Sequence, residues 1–390
     1  MITFEDAHRI TMEQAFVLPA EQVSLQDSLD RILAADLVSD MDMPPFDKSA
    51  VDGYACRISD IDHELEVVET IPAGKIPQRK IWIHHCSKIM TGAMLPAGAD
   101  CVIMVEDTKV TGIGKILFTG ESTARNICFR GEDIKKGQIT LSAGTRIAPQ
   151  HIAVMASAGN VKPEVYKKVR IGILSTGDEL VEPDMKPGLS QIRNSNAAQL
   201  MAQVVRAGGK PTYYGIARDD MDELKKMISA ALKKNEIVIL TGGVSMGDFD
   251  HVPEVMQELG FDILFKSIAI QPGRPTVFGR NRNKFIFGLP GNPASSFVLF
   301  EILVRDFMEK LMGITEKKEK IRLMTGVDFT RKKTGRKAMI PVKILGSEVF
   351  PIEYHGSAHI NAYTAANGII AMDAEQTKLE KGLLTDVRQV

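Results

Sequence analysis

Four segments of the chain combine glycine with carboxylate, hydroxyl or amide side chains, and each follows a short apolar run that predicts a strand. In an open parallel sheet, ligands bind beyond the carboxyl ends of the strands. Glycines let backbone N–H groups approach an anion, whereas carboxylates on the same rim repel a phosphate unless a divalent cation such as Mg²⁺ lies between them. The pattern therefore predicts a site for Mg²⁺ and a phosphoester. The segments are Ser175–Glu179, Arg218–Asp220, Thr241–Asp250 and Gly288–Ser296.

Turn formation is the alternative explanation for these segments. Asp and Gly favour turns and helix caps, so local structure alone would account for one such loop. Three acidic strand ends in succession favour a functional site instead. The sequence contains no G-x-x-x-x-G-K-[ST] motif, which excludes a P-loop.

A second set of polar, glycine-containing turns lies in the first third of the chain. From the residues alone, a site and ordinary turns are equally good explanations of this set. Its members are Pro45–Ala55, Ile89–Ala93, Pro96–Asp100 and Arg130–Asp133.

The elements that must position these loops follow from periodicity. The first forty residues have helix-like apolar spacing, whereas short Val/Ile-rich runs between Gly and Pro turns predict a β-rich insertion. From Val169 onward, strands and helices alternate, which predicts a mostly parallel, doubly wound sheet with helices on both faces. We thus expect a multidomain α/β protein whose C-terminal part is a small β domain. The predicted domains are residues 1–43 with 136–168 (helical, discontinuous), 44–135 (inserted β-rich), 169–315 (α/β) and 316–390 (C-terminal β).

Composition narrows the class of protein. The formal net charge of −1 argues against a chain held to nucleic acid by bulk electrostatics. The four cysteines form no C-x-x-C pair, so we interpret them as small buried hydrophobes rather than zinc ligands. The N-terminus resembles no signal peptide and no apolar run is long enough for a membrane span, so the expected location is the cytoplasm.

The loops, taken in order and spacing, resemble the motif series of the MoeA and gephyrin E-domain family. Six motifs carry the resemblance, and together they cover nearly the whole chain. The resemblance implies a four-domain protein whose α/β domain is similar to MogA and MoaB. The motifs are Pro45–Ala55, Met90–Ala93, Gly131–Asp133, Ser175–Leu180, Thr241–Asp250 and Gly288–Pro293.

The resemblance also implies an activity, which is insertion of molybdate into adenylylated molybdopterin with Mg²⁺-dependent release of AMP. It implies a homodimer whose active site lies between the α/β domain of one subunit and the β-rich domain of the other. The adenylylating MogA-type enzyme and molybdoenzyme acceptors are the implied further partners. No partnership with nucleic acid or a membrane is expected.

Site residues are carried over by position. Carboxylates at Asp52, Glu179, Asp219 and Asp250 are expected to be catalytic, and Asp178, Asp219 and Asp250 to hold or position the metal. The backbone of Gly242, Gly243 and Ser245 is expected to hold phosphate, Pro290 and Pro293 to shape the pterin-side loop, and Ser357 to face the site. The remaining expected substrate-binding residues are Ser49, Thr91, Gly92, Asp133, Ser175, Thr176, Lys266, Gly291 and Asn292.

The sequence departs from the family in its cations. Basic residues that the family is expected to use for molybdate are replaced by Cys128, Ser267, Gln271 and Pro341. An oxyanion needs cationic or N–H donors. One explanation is replacement by Lys266, Arg274 and Lys343 through small register shifts, which we favour because the acidic and glycine loops are all retained. The other is a paralogue with altered oxyanion handling.

Two further functions remain as alternatives. The α/β domain alone resembles the MogA/MoaB type, which suggests an adenylyl transferase acting on the same pterin. A pterin-binding scaffold, comparable with the clustering role of gephyrin, is the non-catalytic alternative. The absence of a long disordered linker or a fused extra domain argues against the scaffold.

Overall fold

A computed structural model describes residues 1–244, 250–315, 321–353, 356 and 358–390. The chain contacts divide it into two units. One unit is Gln22–Val165, and the other joins Met1–Glu21 to Tyr166–Val390. The four predicted domain boundaries are finer than this division and stay predictions. None of the helices in the described part of the chain is long and apolar enough to cross a membrane.

A six-stranded sheet forms the centre of the larger unit. Its strand order is β2-β1-β3-β6-β5-β4. The neighbours β2, β1, β3 and β6 pair in parallel, whereas β5 pairs antiparallel with both β6 and β4. The strands are β1 (Arg170–Thr176), β2 (Lys210–Ala217), β3 (Ile237–Thr241), β4 (Asp262–Phe265), β5 (Val277–Asn281) and β6 (Lys284–Leu289), and the helices beside them are α1 (Ser195–Arg206), α2 (Met221–Lys234), α3 (Val252–Glu258) and α4 (Pro293–Leu299).

Both faces of this sheet are buried, as the alternating pattern predicts. Ile237 and Ile239 of β3 pack into one hydrophobic cluster with α1 and α4, whereas Val238 and Leu240 pack into another with α2 and α3. Helix α4 continues through a π-helical turn, Phe300–Val304, into a last helix at Arg305–Leu311. The doubly wound arrangement is therefore confirmed, but β4 and β5 were not predicted.

The C-terminal part of the same unit is a small β-barrel. Its five strands form a closed ring, in which the first strand of the spatial order also pairs with the last. The short strand Ile270–Gln271 adds to the barrel in parallel with residues 337 and 338. In spatial order, the strands of the ring are Lys337–Leu345, Glu348–Pro351, Ile321–Thr325, Leu384–Gln389 and Gly368–Met372. A separate short pair joins Phe329–Thr330 to Lys378–Leu379, and Ile360–Ala365 forms a 3₁₀ helix. Residues 316–320, which precede the barrel and with which the predicted C-terminal domain begins, lie outside the described residues.

The unit Gln22–Val165 contains the predicted β-rich region as a six-stranded sheet. Cys56, Cys86 and Cys101 are fully buried in its core and form no disulfide, which confirms the interpretation as small buried hydrophobes for these three. Cys128 is also a free thiol but is only half-buried, so the interpretation does not hold for it. Ile81–Ile83 is one of the short Ile-rich runs whose pattern predicts a strand, but the strand begins only at His85. The sheet order is Cys101–Met104, Gly53–Cys56, His85–Ile89, Leu65–Ile71, Lys115–Phe118 and Thr108–Gly112.

Smaller elements complete that unit. The helix Pro149–Ser157 ends with Gly159 at a φ of +75°, the left-handed C-cap that its sequence predicts. Two strand pairs lie outside the six-stranded sheet, Leu37–Val38 with Ile139–Leu141 and Lys48–Ser49 with Ile127–Cys128. The 3₁₀ helices are Gln26–Ser28, Ile58–Asp60 and Val105–Asp107.

The prediction that the first forty residues are helical is wrong beyond the first turns. The helix spans only Phe4–Glu13, and a short strand follows at Ala20–Gln22. The helix has already ended at Glu13, and Pro19, which lacks a backbone N–H and disfavours helical angles at Leu18, prevents a helix from running through this point. Ile32 and Leu33, whose spacing suggested a helix, instead form isolated β-bridges.

A hydrogen-bonded triad of His8, Asp306 and Arg388 connects the N-terminal helix with the last α-helix and the last strand. The carboxylate of Asp306 accepts hydrogen bonds from Arg388 at 2.6 Å and 3.2 Å and lies 3.1 Å from Nε2 of His8. Burial by itself raises the pKa of Asp306, but the hydrogen bonds of His8 and Arg388 hold that pKa well below its ordinary value. The carboxylate is therefore ionised in the folded protein at neutral pH.

We expect Asp306→Asn to lower the free energy of unfolding by about 2 kcal/mol at neutral pH, because a charged hydrogen-bond acceptor is lost. Because the pKa of Asp306 is lower in the folded than in the unfolded chain, its carboxylate stabilises the folded state at pH values above its unfolded-state pKa of about 4. This stabilisation is lost as the pH falls below that value toward the folded-state pKa. The difference between wild type and variant, measured by thermal unfolding, should therefore shrink at acid pH. Asp386→Asn, which removes an exposed ion pair with Arg322, is the control and should cost under about 1 kcal/mol. Equal losses in the two variants at neutral pH would contradict the assignment.

Candidate functional site

The four predicted loops lie at one edge of the α/β sheet. Because β2, β1, β3 and β6 are parallel neighbours, their carboxyl ends emerge side by side. The loop after β1 carries Asp178 and Glu179, and the loop after β2 carries Asp219. The structure thus brings together the acidic strand ends on which the sequence prediction depends.

Direct contacts join the first two loops. Thr176 donates its hydroxyl hydrogen to Oδ1 of Asp219 at 2.8 Å, and the backbone N–H of Asp219 points at Oδ1 of Asp178 across 3.4 Å. Glu179 folds back over Gly177, where a Cβ would lie 2.4 Å from its Oε2. Three carboxylates therefore lie on a short stretch of rim, and Asp178 and Glu179 are exposed to solvent.

Gly242 and Gly243 make a tight turn after β3. Both have positive φ, +92° and +62°, and a Cβ on Gly242 would lie 2.4 Å from the carbonyl oxygen of Thr176. The N–H of Gly242 donates to the carbonyl of Leu289 at 3.1 Å, so this N–H supports β6 and is not directed at a ligand. The N–H of Gly242 is therefore not available for the phosphate contact that was expected of it. Ser245, the third residue expected in this role, lies outside the described residues.

Asp250, at the end of the loop after β3, also lies near this glycine turn. It lies two residues before Val252, whose N–H donates to the carbonyl of Gly243 at 3.2 Å. Two residues span at most about 7 Å, so Asp250 lies near the glycine turn. Among the described residues, no three metal-ligating side chains form a complete metal site by themselves. A rim of two or three carboxylates fits Mg²⁺, which keeps several waters and shares its remaining positions with substrate phosphates.

A basic cavity of about 270 Å³ adjoins the loop after β6. Of the cations suggested as replacements for the family's missing ones, Arg274 lines this cavity, whereas Lys266 and Lys343 are exposed and do not. The second cation is Arg336, which the sequence analysis missed. Its position results from the pairing of residues 270 and 271 with 337 and 338, which no local pattern reveals. The lining includes Gln271, Arg274, Pro290, Asn292, Ser295 and Arg336.

A second cavity of about 210 Å³ extends the basic surface. It shares Gln271 and Gly356 with the first and adds Lys332 and Lys333. Ser357, expected to face the site, lies outside the described residues beside Gly356. A cavity of about 830 Å³, larger than either of these two, lies where the N-terminal helix meets the barrel and contains none of the strand-end residues. Volume alone therefore does not identify the site.

The loop after β6 is held from α1. Asn196 donates from Nδ2 to the carbonyl of Gly291 at 2.7 Å, and Ser296 donates to its Oδ1 at 3.4 Å. Pro293 is the first residue of α4, and Pro290 is buried in the cavity wall. Asn196 lies in the first turn of α1, and no local sequence signal connects it with the loop after β6.

The expected site residues of the other unit form their own cluster. The carboxylate of Asp52 accepts two hydrogen bonds from Thr91, from its N–H at 2.7 Å and from its hydroxyl at 2.9 Å. These two bonds, the backbone one foremost, hold the pKa of Asp52 below its ordinary value. Gly92, with a φ of +80°, donates its N–H to the carbonyl of Ser49. Asp52, Thr91 and Gly92 thus lie together around one turn.

Ser49 and Asp133 contribute to this unit in different ways. The hydroxyl of Ser49 is buried and donates to the carbonyl of Val51 at 2.5 Å, so it stabilises the turn before Asp52. Asp133 is exposed, and its N–H donates to the carbonyl of Met43. Cys128 lies in the strand paired with residues 48 and 49, where a longer basic side chain was expected.

Comparison with known proteins gives two matching family models. The model described as the MoeA N-terminal region (domain I and II) matches residues 2–159, and the model described as a probable molybdopterin binding domain matches residues 172–310. The second match contains all four strand-end loops. The first contains the Asp52 and Thr91 cluster.

Individual relatives agree with the family models. A molybdopterin molybdenumtransferase from Bacillus subtilis is 38% identical over 302 residues, which are 74% of this chain and 70% of the relative. One from Staphylococcus epidermidis is 33% identical over 99% of this chain and 95% of the relative. Two solved structures of a molybdopterin biosynthesis MoeA protein from Pyrococcus horikoshii cover 100% of this chain and at least 99% of theirs, with TM-scores of 0.86 and 0.83 and identities of 30% and 29%.

The glycine turn after β3 gives a prediction with a matched control. Gly242→Ala combines a left-handed φ with a clash against the carbonyl of Thr176, whereas Gly335→Ala has a similar φ of +81° and open space around it. We expect Gly335→Ala to cost about 1 kcal/mol and Gly242→Ala about 3 kcal/mol or more. Thermal unfolding of the two variants measures the difference. Equal destabilisation would mean that the turn does not approach β1 as closely as described.

Proposed function

Since this chain belongs to the MoeA family, whose curated members are molybdopterin molybdenumtransferases, we propose that it inserts molybdate into adenylylated molybdopterin with Mg²⁺-dependent release of AMP. It is an enzyme of molybdenum cofactor biosynthesis. The observation that carries the finer proposal is the contact between two acidic strand ends, where Thr176 and a backbone N–H join Asp219 to Asp178 beside a glycine turn.

The proposed reaction needs charge neutralisation at a phosphoanhydride. Water attacks the adenylyl phosphorus, the bond from that phosphorus to the bridging oxygen breaks, and AMP and the pterin phosphate separate. Mg²⁺, when bound, would supply positive charge to the phosphate oxygens. Asp178, Asp219 and Asp250 would hold it, since all three lie at or beside the carboxyl edge.

Glu179 is the carboxylate best suited to handle a proton. It is exposed on the same rim and follows Asp178 directly, so it can accept a proton from the attacking water or contact the pterin. The hydroxyl of Thr176 is occupied in orienting Asp219, so we assign Thr176 to positioning the metal ligand. The backbone around Gly243 and Ser245 is proposed to contact phosphate.

The basic cavity is proposed to receive the oxyanion. Arg274 and Arg336 line it together with Gln271, a position where the family is expected to have lysine. Guanidinium groups bind tetrahedral oxyanions through paired N–H donors. This supports replacement of the missing cations over loss of oxyanion handling, but with Arg336 in the role suggested for Lys266 and Lys343.

The expected homodimer, with an active site shared between subunits, remains a proposal based on the family resemblance. The cytoplasmic location and the partnership with a MogA-type enzyme and molybdoenzyme acceptors are proposals on the same basis. The same holds for the contribution of Asp52, Thr91 and Asp133 to the site.

We expect Asp219→Asn to reduce AMP release on the order of 100-fold, because a ligand that neutralises transition-state charge is lost. Asp220→Asn is the matched control: Asp220 caps α2 by accepting from the N–H of Glu223, and Asn caps equally well. The assay contains purified chain, adenylylated molybdopterin, Mg²⁺ and molybdate, with AMP as the readout.

The same assay separates the alternative functions. Molybdate-stimulated AMP release supports the transferase. Formation of adenylylated pterin from ATP would instead identify an adenylyl transferase, and binding without turnover a scaffold. Undiminished AMP release by Asp219→Asn would remove the metal-site assignment.

Arg336→Gln and Arg274→Gln should each raise the molybdate concentration for half-maximal AMP release about 10-fold or more, because a charge-assisted hydrogen bond is lost. Lys343→Gln, a change to an exposed lysine outside both cavities, serves as the control and should leave that concentration unchanged. If AMP release in the wild type does not respond to molybdate at all, the chain is a paralogue with altered oxyanion handling.

A further inference from the structure

A chain of side-chain hydrogen bonds runs beneath the carboxyl edge of the α/β sheet. It begins at Thr241, the last residue of β3, which donates to Oγ of Ser175 at 3.1 Å. Ser175 donates to Oδ1 of Asn194 at 3.1 Å, and Asn194 donates from Nδ2 to the hydroxyl of Tyr213 at 2.8 Å. Tyr213 donates to Oε1 of Glu182 at 2.9 Å. We call these five residues the strand-end relay.

The direction of every bond in the strand-end relay is determined. Oδ1 of Asn194 also accepts the backbone N–H of Ala197 at 3.3 Å, which fixes the orientation of the amide and turns its NH₂ toward Tyr213. Tyr213 therefore accepts from Asn194 and has its own hydrogen left for Glu182, which can only accept. Ser175 must likewise donate to Oδ1, because that oxygen has no hydrogen.

Because three of the relay residues are buried, the loss of one of these hydrogen bonds costs free energy. The exposed fractions of Ser175, Asn194 and Thr241 are 0%, 2% and 1%. A buried polar group that loses its partner pays a desolvation penalty that water cannot relieve. Burial and the bond to Glu182 also raise the pKa of Tyr213, so its hydroxyl keeps its hydrogen at neutral pH.

Two hydroxyls of the strand-end relay, those of Ser175 and Thr241, belong to residues that directly precede a residue of the site. Thr176, which orients Asp219, follows Ser175, and Gly242 follows Thr241. Two residues after Asn194, Asn196 holds the carbonyl of Gly291 in the loop after β6. The segment from Asn194 to Asn196 therefore contacts the ends of β1 and β6 directly, and that of β3 through Ser175.

We propose that Asn194 is a positioning residue of the site, which through the strand-end relay fixes the ends of β1 and β3 relative to each other. Ser175 takes part in the same way: its hydroxyl is buried and its hydrogen is donated to Asn194, so it acts through position and not through contact with substrate. The effect of the relay on turnover rests on the proposed function, whereas its effect on the loops does not.

Helix capping is the competing role for Asn194. Asn194 is the N-cap of α1, and an aspartate would fill that position equally well. The relay, in contrast, distinguishes an amide from a carboxylate. In Asn194→Asp, the introduced carboxylate and that of Glu182 both face the single hydrogen of Tyr213, so one of the two carboxylates loses its donor.

Moving the amide to the other end of the relay should restore it. In the double variant Asn194→Asp with Glu182→Gln, the amide introduced at position 182 donates to Tyr213, and Tyr213 donates to the carboxylate introduced at position 194. The number of hydrogen bonds and the net charge equal those of the wild type. A capping role gives no reason for such a rescue, so the double-mutant cycle separates the two roles.

The test uses the full chain and measures backbone hydrogen exchange by mass spectrometry in segments covering 175–179 and 241–244, without any ligand. Asn194→Asp should speed exchange there about 10-fold, the effect of one lost charge-assisted hydrogen bond, and the double variant should return to within about twofold of wild type. Tyr213→Phe should speed exchange without rescue by Glu182→Gln. Tyr214→Phe, the adjacent residue whose hydroxyl accepts from Asn235, is the control and should leave both segments unchanged.

AMP release by the same proteins gives the second readout: kcat should fall in Asn194→Asp and recover in the double variant. Wild-type exchange in Asn194→Asp, or no recovery in the double variant, would overturn the proposal and leave Asn194 a helix cap. If the wild type releases no AMP, the proposed function fails, and hydrogen exchange still decides for or against the relay.

Discussion

Parallel pairing of β2, β1, β3 and β6 is the constraint on which the site depends. Parallel neighbours place their carboxyl ends at one edge, so loops from residues 175 to 293 meet there although more than a hundred residues separate them. Two of these loops are acidic, one is a glycine turn and one borders a basic cavity. Carboxylates that would repel one another and any phosphate are thereby gathered where a divalent cation can join them to a phosphoester.

The surroundings of that edge favour fixed geometry. Gly242 is packed so closely against β1 that a Cβ would collide with the carbonyl of Thr176, and its N–H supports β6. Beneath it, Ser175 and Asn194 are buried and hydrogen-bonded to each other in a fixed direction. A site that stabilises developing charge benefits from such preorganisation, because the groups need not reorient during the reaction.

The doubly wound sheet and its acidic rim could be predicted from the sequence because both rest on local signals. Apolar runs of strand length alternate with amphipathic helices, and the loop chemistry follows each run directly. The antiparallel strands β4 and β5 gave weaker signals, since glycine and proline lie between them. The N-terminal helix was overestimated because helix-like apolar spacing continues beyond Glu13, where the helix ends.

The parts of the site that the sequence did not reveal depend on long-range pairing. Arg336 reaches the cavity because residues 270 and 271 pair with 337 and 338, and no periodicity encodes that register. Lys266 and Lys343 are closer in type to the lost lysines, yet both are exposed outside the cavity. Asn194 has the sequence signature of a helix cap, and its second role appears only when Tyr213 and Ser175 are seen around it.

The central claim is that a divalent cation connects the acidic rim to a phosphoester. Its most direct measurement is a titration of the full chain with Mn²⁺, followed by electron paramagnetic resonance, with and without AMP. Because metal and phosphate would share one site, AMP should tighten Mn²⁺ binding about 10-fold or more, and Mn²⁺ should tighten AMP binding by the same factor. An Mn²⁺ affinity that is identical with and without AMP would contradict the account.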